Sequence, residues 1–302
     1  MPSQPNRILL PIDVTHPTKD LVNHLSALIP LQGAEVLLLS VREELPSYER
    51  MLASMADFPE DIAHRFKSKA ESVLKAFQDD LEFLGAKVKT EIVSGPAGMM
   101  IDRVARDENY NQIFLAPGSH SRVETFLLGS TSARVVKHAP GTVVVLREPP
   151  EKAADLKHVV FGVDGSPQSR HALLEAVDGF QLKERGTAIT LCHVVAVPGV
   201  LTFISPVEFV AALENNLSME GETILAAAEK ALSEKGIKNA ELMLRHGDPS
   251  TELIQAAKAR KAGMLVIGAQ GRTAVQHFLL GSVSTRIATH AECSVAVVKM
   301  AG

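Results

Sequence analysis

Gly268 and Gly271 follow a short apolar run, Met264–Ile267, and after nine further residues Gly281, Ser282, Val283 and Ser284 lead into a segment patterned as a helix over Thr285–His290. Glycines at the carboxyl end of a strand let the backbone approach a ligand with no side chain in between. A Gly-Ser pair opening a helix offers N–H groups without intrahelical acceptors, a hydroxyl and the positive end of the helix dipole, which together suit a phosphate. A glycine-marked surface turn is the plainer reading of Gly268 and Gly271, and the spacing to Gly281-Ser282 weighs against it.

Other chemistries lack their residues. The sequence has no Walker-type phosphate loop, no GxGxxG after a strand, no GxSxG elbow, no HExxH and no cysteine cluster. Cys192 and Cys293 read as buried thiols rather than a disulfide. His138 and His290 fall near helix ends, where a cation complements the dipole. His193, His246 and His277 have no partner pattern for a general base or a metal and are assigned no chemistry. A net charge of −4, a pI near 6.3, no Trp and only two Tyr argue against a nucleic-acid partner. No apolar run reaches the roughly 18 residues of a membrane span and no leader pattern opens the chain, so a cytoplasmic protein is expected.

The elements that must position these residues alternate. The first half reads as strand Arg7–Val14 with Asp13 near its end, helix Thr18–Pro30, strand Ala34–Val41, an excursion over Arg42–Ile62, helix His64–Leu84, strand Ala86–Val93, helix Ala97–Arg106, strand Gln112–Ala116, a helix ending at His138, and strand Thr142–Leu146. The order restarts after the polar stretch Glu148–Lys157. Strand Val159–Val163 leads to Asp164, then helix Gln168–Val177, strand Ala188–Val197, a second excursion, helix Glu220–Lys235, strand Ala240–Leu244, helix Ser250–Arg260, strand Met264–Ile267 and strand Ser294–Lys299. Domains over residues 1–147 and 158–302, joined by a linker over 148–157, are expected. Apolar strands alternating with helices predict parallel sheets covered on both faces.

The halves repeat. Phe126-Leu-Leu-Gly-Ser130 recurs as Phe278-Leu-Leu-Gly-Ser282, and Ser132, Arg134, His138 and Ala139 recur in register as Ser284, Arg286, His290 and Ala291. Asp13 pairs with Asp164, and Gly95 with Gly247. A ligand on such a sheet binds at the carboxyl ends of its strands, at the switch point of the winding, where Asp164 and Gly268–Gly271 are expected to meet.

The strand–helix order, an Asp ending the first strand and G-x2-G-x9-G-S after the fourth resemble the universal stress protein family, twice over in one chain. The resemblance implies two tandem doubly wound domains, Rossmann-like and similar to the adenine nucleotide alpha hydrolase fold. Each would be a five-stranded parallel sheet with helices on both faces and strand order 3-2-1-4-5. It implies a stress-response protein that binds ATP. Val163 and Asp164 would lie by the adenine and ribose, and Val194 would offer backbone groups to the adenine edge. Ile267 and Gly268 would face the nucleoside, Gly271 and Arg272 the ribose and phosphates, and Gly281, Ser282, Val283 and Ser284 the phosphate chain. A Mg2+ or Mn2+ ion would be carried mainly by the phosphates, with no protein side chain as metal ligand.

The first half departs from this pattern. Ala116 and Ser119 stand where the second half has Gly268 and Gly271, while Gly129-Ser130 persists. The ATP site is therefore expected in the second half, and a weaker site of Asp13, Val41, Gly129, Ser130 and Ser132 in the first. Ser130 and Ser282 could instead be helix N-caps, and Asp13 and Asp164 could cap the helices that follow. The cluster Met51, Leu52 and Met55 and the segment Pro198–Phe209 read as packing on their own domains, with a partner surface as the alternative. The final strands Thr142–Leu146 and Ser294–Lys299 need cover at a sheet edge. The resemblance implies that they pair, making an intramolecular pseudo-dimer, and self-association of whole chains is left open. An unidentified protein partner is expected. A slow ATPase and a nucleotide-free scaffold are the alternative functions; no residue is recognisable as orienting a water.

Overall fold

The computed structural model describes residues 6–18, 20–43, 62–116, 128–147, 156–271 and 280–300. Ten strands form one sheet: β1 Arg7–Pro11, β2 Glu35–Arg42, β3 Lys87–Ser94, β4 Gln112–Leu115, β5 Thr142–Val145, β6 His158–Gly162, β7 Ala188–Val195, β8 Glu241–His246, β9 Met264–Gly268 and β10 Ser294–Val298. Their spatial order is β3-β2-β1-β4-β5-β10-β9-β6-β7-β8. Each half thus has the order 3-2-1-4-5, with all its strands parallel. The halves join where β5 and β10 run antiparallel, Val145 opposite Val295 and Thr142 opposite Val298. That pairing removes both apolar edges. The strands left at the outside, β3 and β8, are largely half-exposed and carry polar residues, as edges that resist further pairing do.

Among the described residues the helices are α1 Leu21–Leu28, α2 Ile62–Phe83, α3 Ala97–Asp107, α4 Ser130–His138, α5 Pro167–Gly179, α6 Gly199–Ile204, α7 Val207–Glu234, α8 Pro249–Ala259 and α9 Ser282–His290. They cover both faces. One core gathers Leu25, Leu74, Leu173 and Leu225 from α1, α2, α5 and α7 against Ile8 and Phe161. The other gathers Ile101, Val135, Leu253 and Ile287 from α3, α4, α8 and α9 against Leu9 and Leu265. Alternation along buried strands sends successive side chains to opposite faces, which is why Ile8 and Leu9 belong to different cores.

Two reciprocal contacts fasten the halves. Buried Arg147, just past β5, donates to the carbonyls of Ala288 at 3.0 Å, Thr289 at 3.3 Å and Ala291 at 3.4 Å, at the C-terminal end of α9. Lys299, just past β10, donates its Nζ to the carbonyl of Ala139, which ends α4. Cations thus meet the unpaired carbonyls and the negative dipole end of the helix in the opposite half. The repeat extends to strained backbone: Gly95 and Gly247 have φ of 136° and 137°.

Several boundaries differ from the sequence expectation. β1 stops at Pro11, so Asp13 lies beyond the strand. Ser130 and Ser282 are the first residues of their helices, and Gly129 and Gly281 occupy the N-cap positions. Asp164 and Asp13 are not helix caps: Ser166 caps α5 by accepting from Ser169 N at 3.1 Å, and α1 follows Asp20. The helix expected from Glu220 begins at Val207; Val210, Leu213 and Leu217 carry its apolar spacing back from Gly221 but are only half-buried. Pro198–Phe209 is largely helical and exposed rather than packed on its domain. Met51, Leu52, Met55 and the stretch 148–155 lie outside the described residues. Both thiols are free and buried, and no described helix is long and apolar enough to cross a membrane.

Candidate functional site

Strand β6 ends at Gly162, and Val163 N donates to Cys192 O of β7 at 2.9 Å, keeping the two strand ends together. The chain then turns. Asp164 Oδ1 accepts from Ser166 N at 2.9 Å, which fixes its carboxylate before α5 begins. His193 is buried beside it, with Nδ1 2.7 Å from the carbonyl oxygen of Val163.

The loop after β9 closes the opposite side. Ala269 N donates to Val298 O, and Gly281 N to Ala269 O, each at 2.8 Å, so the start of α9 is laced to the end of β9. Ser284 donates its hydroxyl to Gly268 O at 2.8 Å. The hydroxyl proton of Ser284 thus holds the loop, and its backbone N–H lies at the start of α9. The N–H groups of Ser282, Val283 and Ser284 lie in the first turn, where no carbonyl of the helix can accept from them.

The glycines sit where side chains would intrude. A Cβ on Gly268 would come 3.3 Å from the backbone of Gln168, and one on Gly271 would come 2.8 Å from Asp164 Oδ2. A Cβ on Gly281 would lie 3.4 Å from Ala269 O.

Between these walls lies a cleft of about 680 Å³ at the carboxyl ends of β6, β7 and β9. This is the switch point of the second half, because the winding from β6 runs to β7 on one side and β9 on the other. Val163, Asp164, Val194, Ile267, Gly268, Gly271, Gly281, Ser282, Val283 and Ser284 all line it. Arg272 lies outside the described residues. The volume falls within the range of small-molecule sites.

Sequence reasoning missed Ser169, His193, Leu217, Glu220 and Gln270, which also line the cleft. His193 adjoins Val194 on β7, a signal that was available. Leu217 and Glu220 come from α7, whose first turns read as an excursion although Val210, Leu213 and Leu217 keep helical spacing. Cys192 also lines the cleft, where burial pushes its thiol up to about 12 and removes it as a nucleophile. Among the described lining residues the charged side chains are the acids Asp164 and Glu220. No group of His, Cys, Asp or Glu among the described residues is arranged to hold a metal.

The first half offers a partial counterpart. Gly129, Ser130 and Ser132 open α4, and Val41 is half-buried on β2. No described atom lies within 4 Å of a Cβ on Gly129, whereas Gly281 packs on its loop. Asp13 is occupied by its own turn, accepting from Thr15 N at 2.9 Å and His16 N at 3.3 Å. Ala116 ends the described stretch, and Pro117, Gly118 and Ser119 fall outside it. His138 is surrounded by Arg134, Lys137, Lys299 and Arg106; burial and these cations pull its pKa down. His246 pairs with Glu214 at 2.9 Å, and His277 lies outside the described residues.

A model of the Universal stress protein family matches residues 5–147 and again 155–299. The chain is similar to Universal stress protein YxiE of Bacillus subtilis, 31% identical over 147 residues that cover 47% of this chain and 97% of that protein. It is also similar to Universal stress protein Rv1996 of Mycobacterium tuberculosis, 27% identical over 247 residues, covering 79% of this chain and 73% of that one. Among solved structures, its fold matches that of a universal stress protein from Archaeoglobus fulgidus with a TM-score of 0.67 at 20% identity, covering 97% of this chain and 96% of that chain.

Proposed function

The chain belongs to the universal stress protein family, with two copies of the domain in tandem, and from that premise we propose that it is a cytoplasmic stress-response protein binding ATP in the cleft of its second half. The reading rests on one observation: ten residues named from sequence for a nucleotide line a single cleft at the switch point.

The residues fit the ligand. Val194 offers backbone groups for the adenine edge, and Val163 and Asp164 face the nucleoside. Gly268 and Gly271 keep the wall thin where a Cβ would crowd Gln168 or Asp164. Ser282, Val283 and Ser284 present first-turn N–H groups, and Ser282 a hydroxyl, toward the phosphates. With acids as the charged side chains among the described lining residues, the triphosphate would bring its own Mg2+ or Mn2+ as counter-charge. The first half, with Gly268 and Gly271 replaced by Ala116 and Ser119, binds ATP weakly or not at all.

The test is to denature purified protein, chromatograph whatever nucleotide is released, and titrate ATP into nucleotide-free protein calorimetrically. ATP recovered from the wild type and lost in Gly281→Asp supports the reading. Wild-type protein that neither carries nor binds ATP sinks it.

A further inference from the structure

Five large apolar side chains within one ten-residue stretch stand in solvent: Val200 is 62% exposed, Phe203 90%, Ile204 67%, Val207 79% and Phe209 53%. Val200, Phe203 and Ile204 share one side of α6 through their i, i+3, i+4 spacing. Ser205 and Pro206 carry the chain into α7, which opens on Val207 and Phe209. The buried residues of α7 begin only at Gly221, so its first turns and the whole of α6 bury no side chain in either core. Single exposed apolar residues are ordinary, but a run of this kind marks an interaction surface.

Charge selects the partner. From Gly186 to Glu229 the sequence has no Lys or Arg, yet it has Glu208, Glu214, Glu220, Glu222 and Glu229. Glu214 is engaged by His246, while Glu208 and Glu222 are exposed and lie on one side of α7, about four helical turns apart. A second copy docked arm to arm would bring the same acids and no Lys or Arg from its own arm to oppose them. An anionic lipid surface would be repelled in the same way.

We infer that the α6–α7 arm is a docking face for a cationic amphipathic helix of another protein. The apolar side of that helix covers Phe203, Ile204 and Val207, and its flanking Lys or Arg meet Glu208 and Glu222. The arm's apolar residues are not those that line the nucleotide cleft, so this inference stands or falls apart from the ATP reading.

The probe is a labelled synthetic helix with Leu on one face and Lys on the other, titrated into the full chain without nucleotide and followed by fluorescence anisotropy. A matching Leu/Glu helix is the control. The Leu/Lys helix is expected to bind saturably and the Leu/Glu helix not to bind. Phe203→Ser/Val207→Ser should weaken binding by at least about tenfold, and Glu208→Gln/Glu222→Gln several-fold with a flatter salt dependence. Equal binding of both probes, or binding untouched by both variants, would overturn the inference. A concentration-dependent dimer lost in Phe203→Ser/Val207→Ser would give the face to a second copy instead. Co-sedimentation with anionic vesicles lost in that variant would give it to a membrane, and either result would also overturn it.

Discussion

A Cβ at Gly271 would stand 2.8 Å from an Asp164 carboxylate whose other oxygen is already held by Ser166 N. Gly271→Ala must therefore displace that carboxylate from its turn. Calorimetry should show ATP affinity falling by about tenfold or more, with little change in melting temperature because Gly271 is exposed. Removing divalent ions with EDTA should weaken ATP binding by a similar factor, since the described lining side chains supply no positive charge of their own. A second residue-level test lies away from the site. Asp102 is buried, its Oδ1 has no hydrogen-bond partner, and Arg134 Nε is 3.5 Å from its Oδ2. Burial raises its pKa to about 6 against the pull of Arg134, Lys299 and Arg106. The folded chain thus keeps this proton up to about pH 6, while the unfolded chain releases it near 3.8, so ionisation costs stability above pH 6 and nothing below the unfolded value. Asp102→Asn should stabilise the protein by roughly 2–3 kcal/mol at pH 8, with the gain gone by about pH 3, as read by urea melts across pH. The corresponding residue in the second half, Ile254, shows that the position takes an apolar side chain.

At the scale of elements, the two halves start their equivalent helices differently. Asp248 caps α8, accepting from Thr251 N at 2.9 Å, and hydrogen bonds from Ser250 and Thr251 hold its carboxyl down at about 2. Pro96 in the first half makes no side-chain cap. Asp248→Ala should cost about 1 kcal/mol at pH 7. Because the folded pKa is depressed, this contribution is full above the unfolded value of 3.8 and lost as pH falls through about 2, which pH-dependent denaturation would register. The strands and most helices were legible because their apolar patterns are dictated by burial on one face or two. That Gly268, Gly271 and Gly281-Ser282 share one cleft was legible because a doubly wound sheet gathers the loops after its strands at the switch point. The start of α7 was missed although Val210, Leu213 and Leu217 keep helical spacing, because Pro198 and Pro206 and the exposed apolar residues between them read as an irregular excursion, and Leu217 and Glu220 were missed with it. The hydroxyl of Ser284 has a contact that the sequence did not show. Its partner, the carbonyl of Gly268, is set by tertiary packing and has no trace in the side-chain sequence.

In the whole molecule, one chain makes the contact that two identical subunits would otherwise supply, through β5–β10 and the crossed pair Arg147 and Lys299. The duplication let these cations diverge. Arg147 serves three carbonyls, whereas burial pulls Lys299 down to about 8 beside Asp102 and Arg106. Arg147→Met should therefore destabilise the protein by about 2–3 kcal/mol through the carbonyls it strands. Lys299→Met should cost clearly less in the same chemical melts, because it strands one carbonyl, that of Ala139, where Arg147→Met strands three. The same divergence underlies the central claim, that two similar folds carry one working nucleotide site. Equilibrium dialysis of nucleotide-free protein against labelled ATP tests it most directly, using wild type, Gly281→Asp and Gly129→Asp. The account predicts about one ATP per chain for the wild type and for Gly129→Asp, and none for Gly281→Asp. Two ATP per chain in the wild type, or loss in Gly129→Asp with retention in Gly281→Asp, would contradict it.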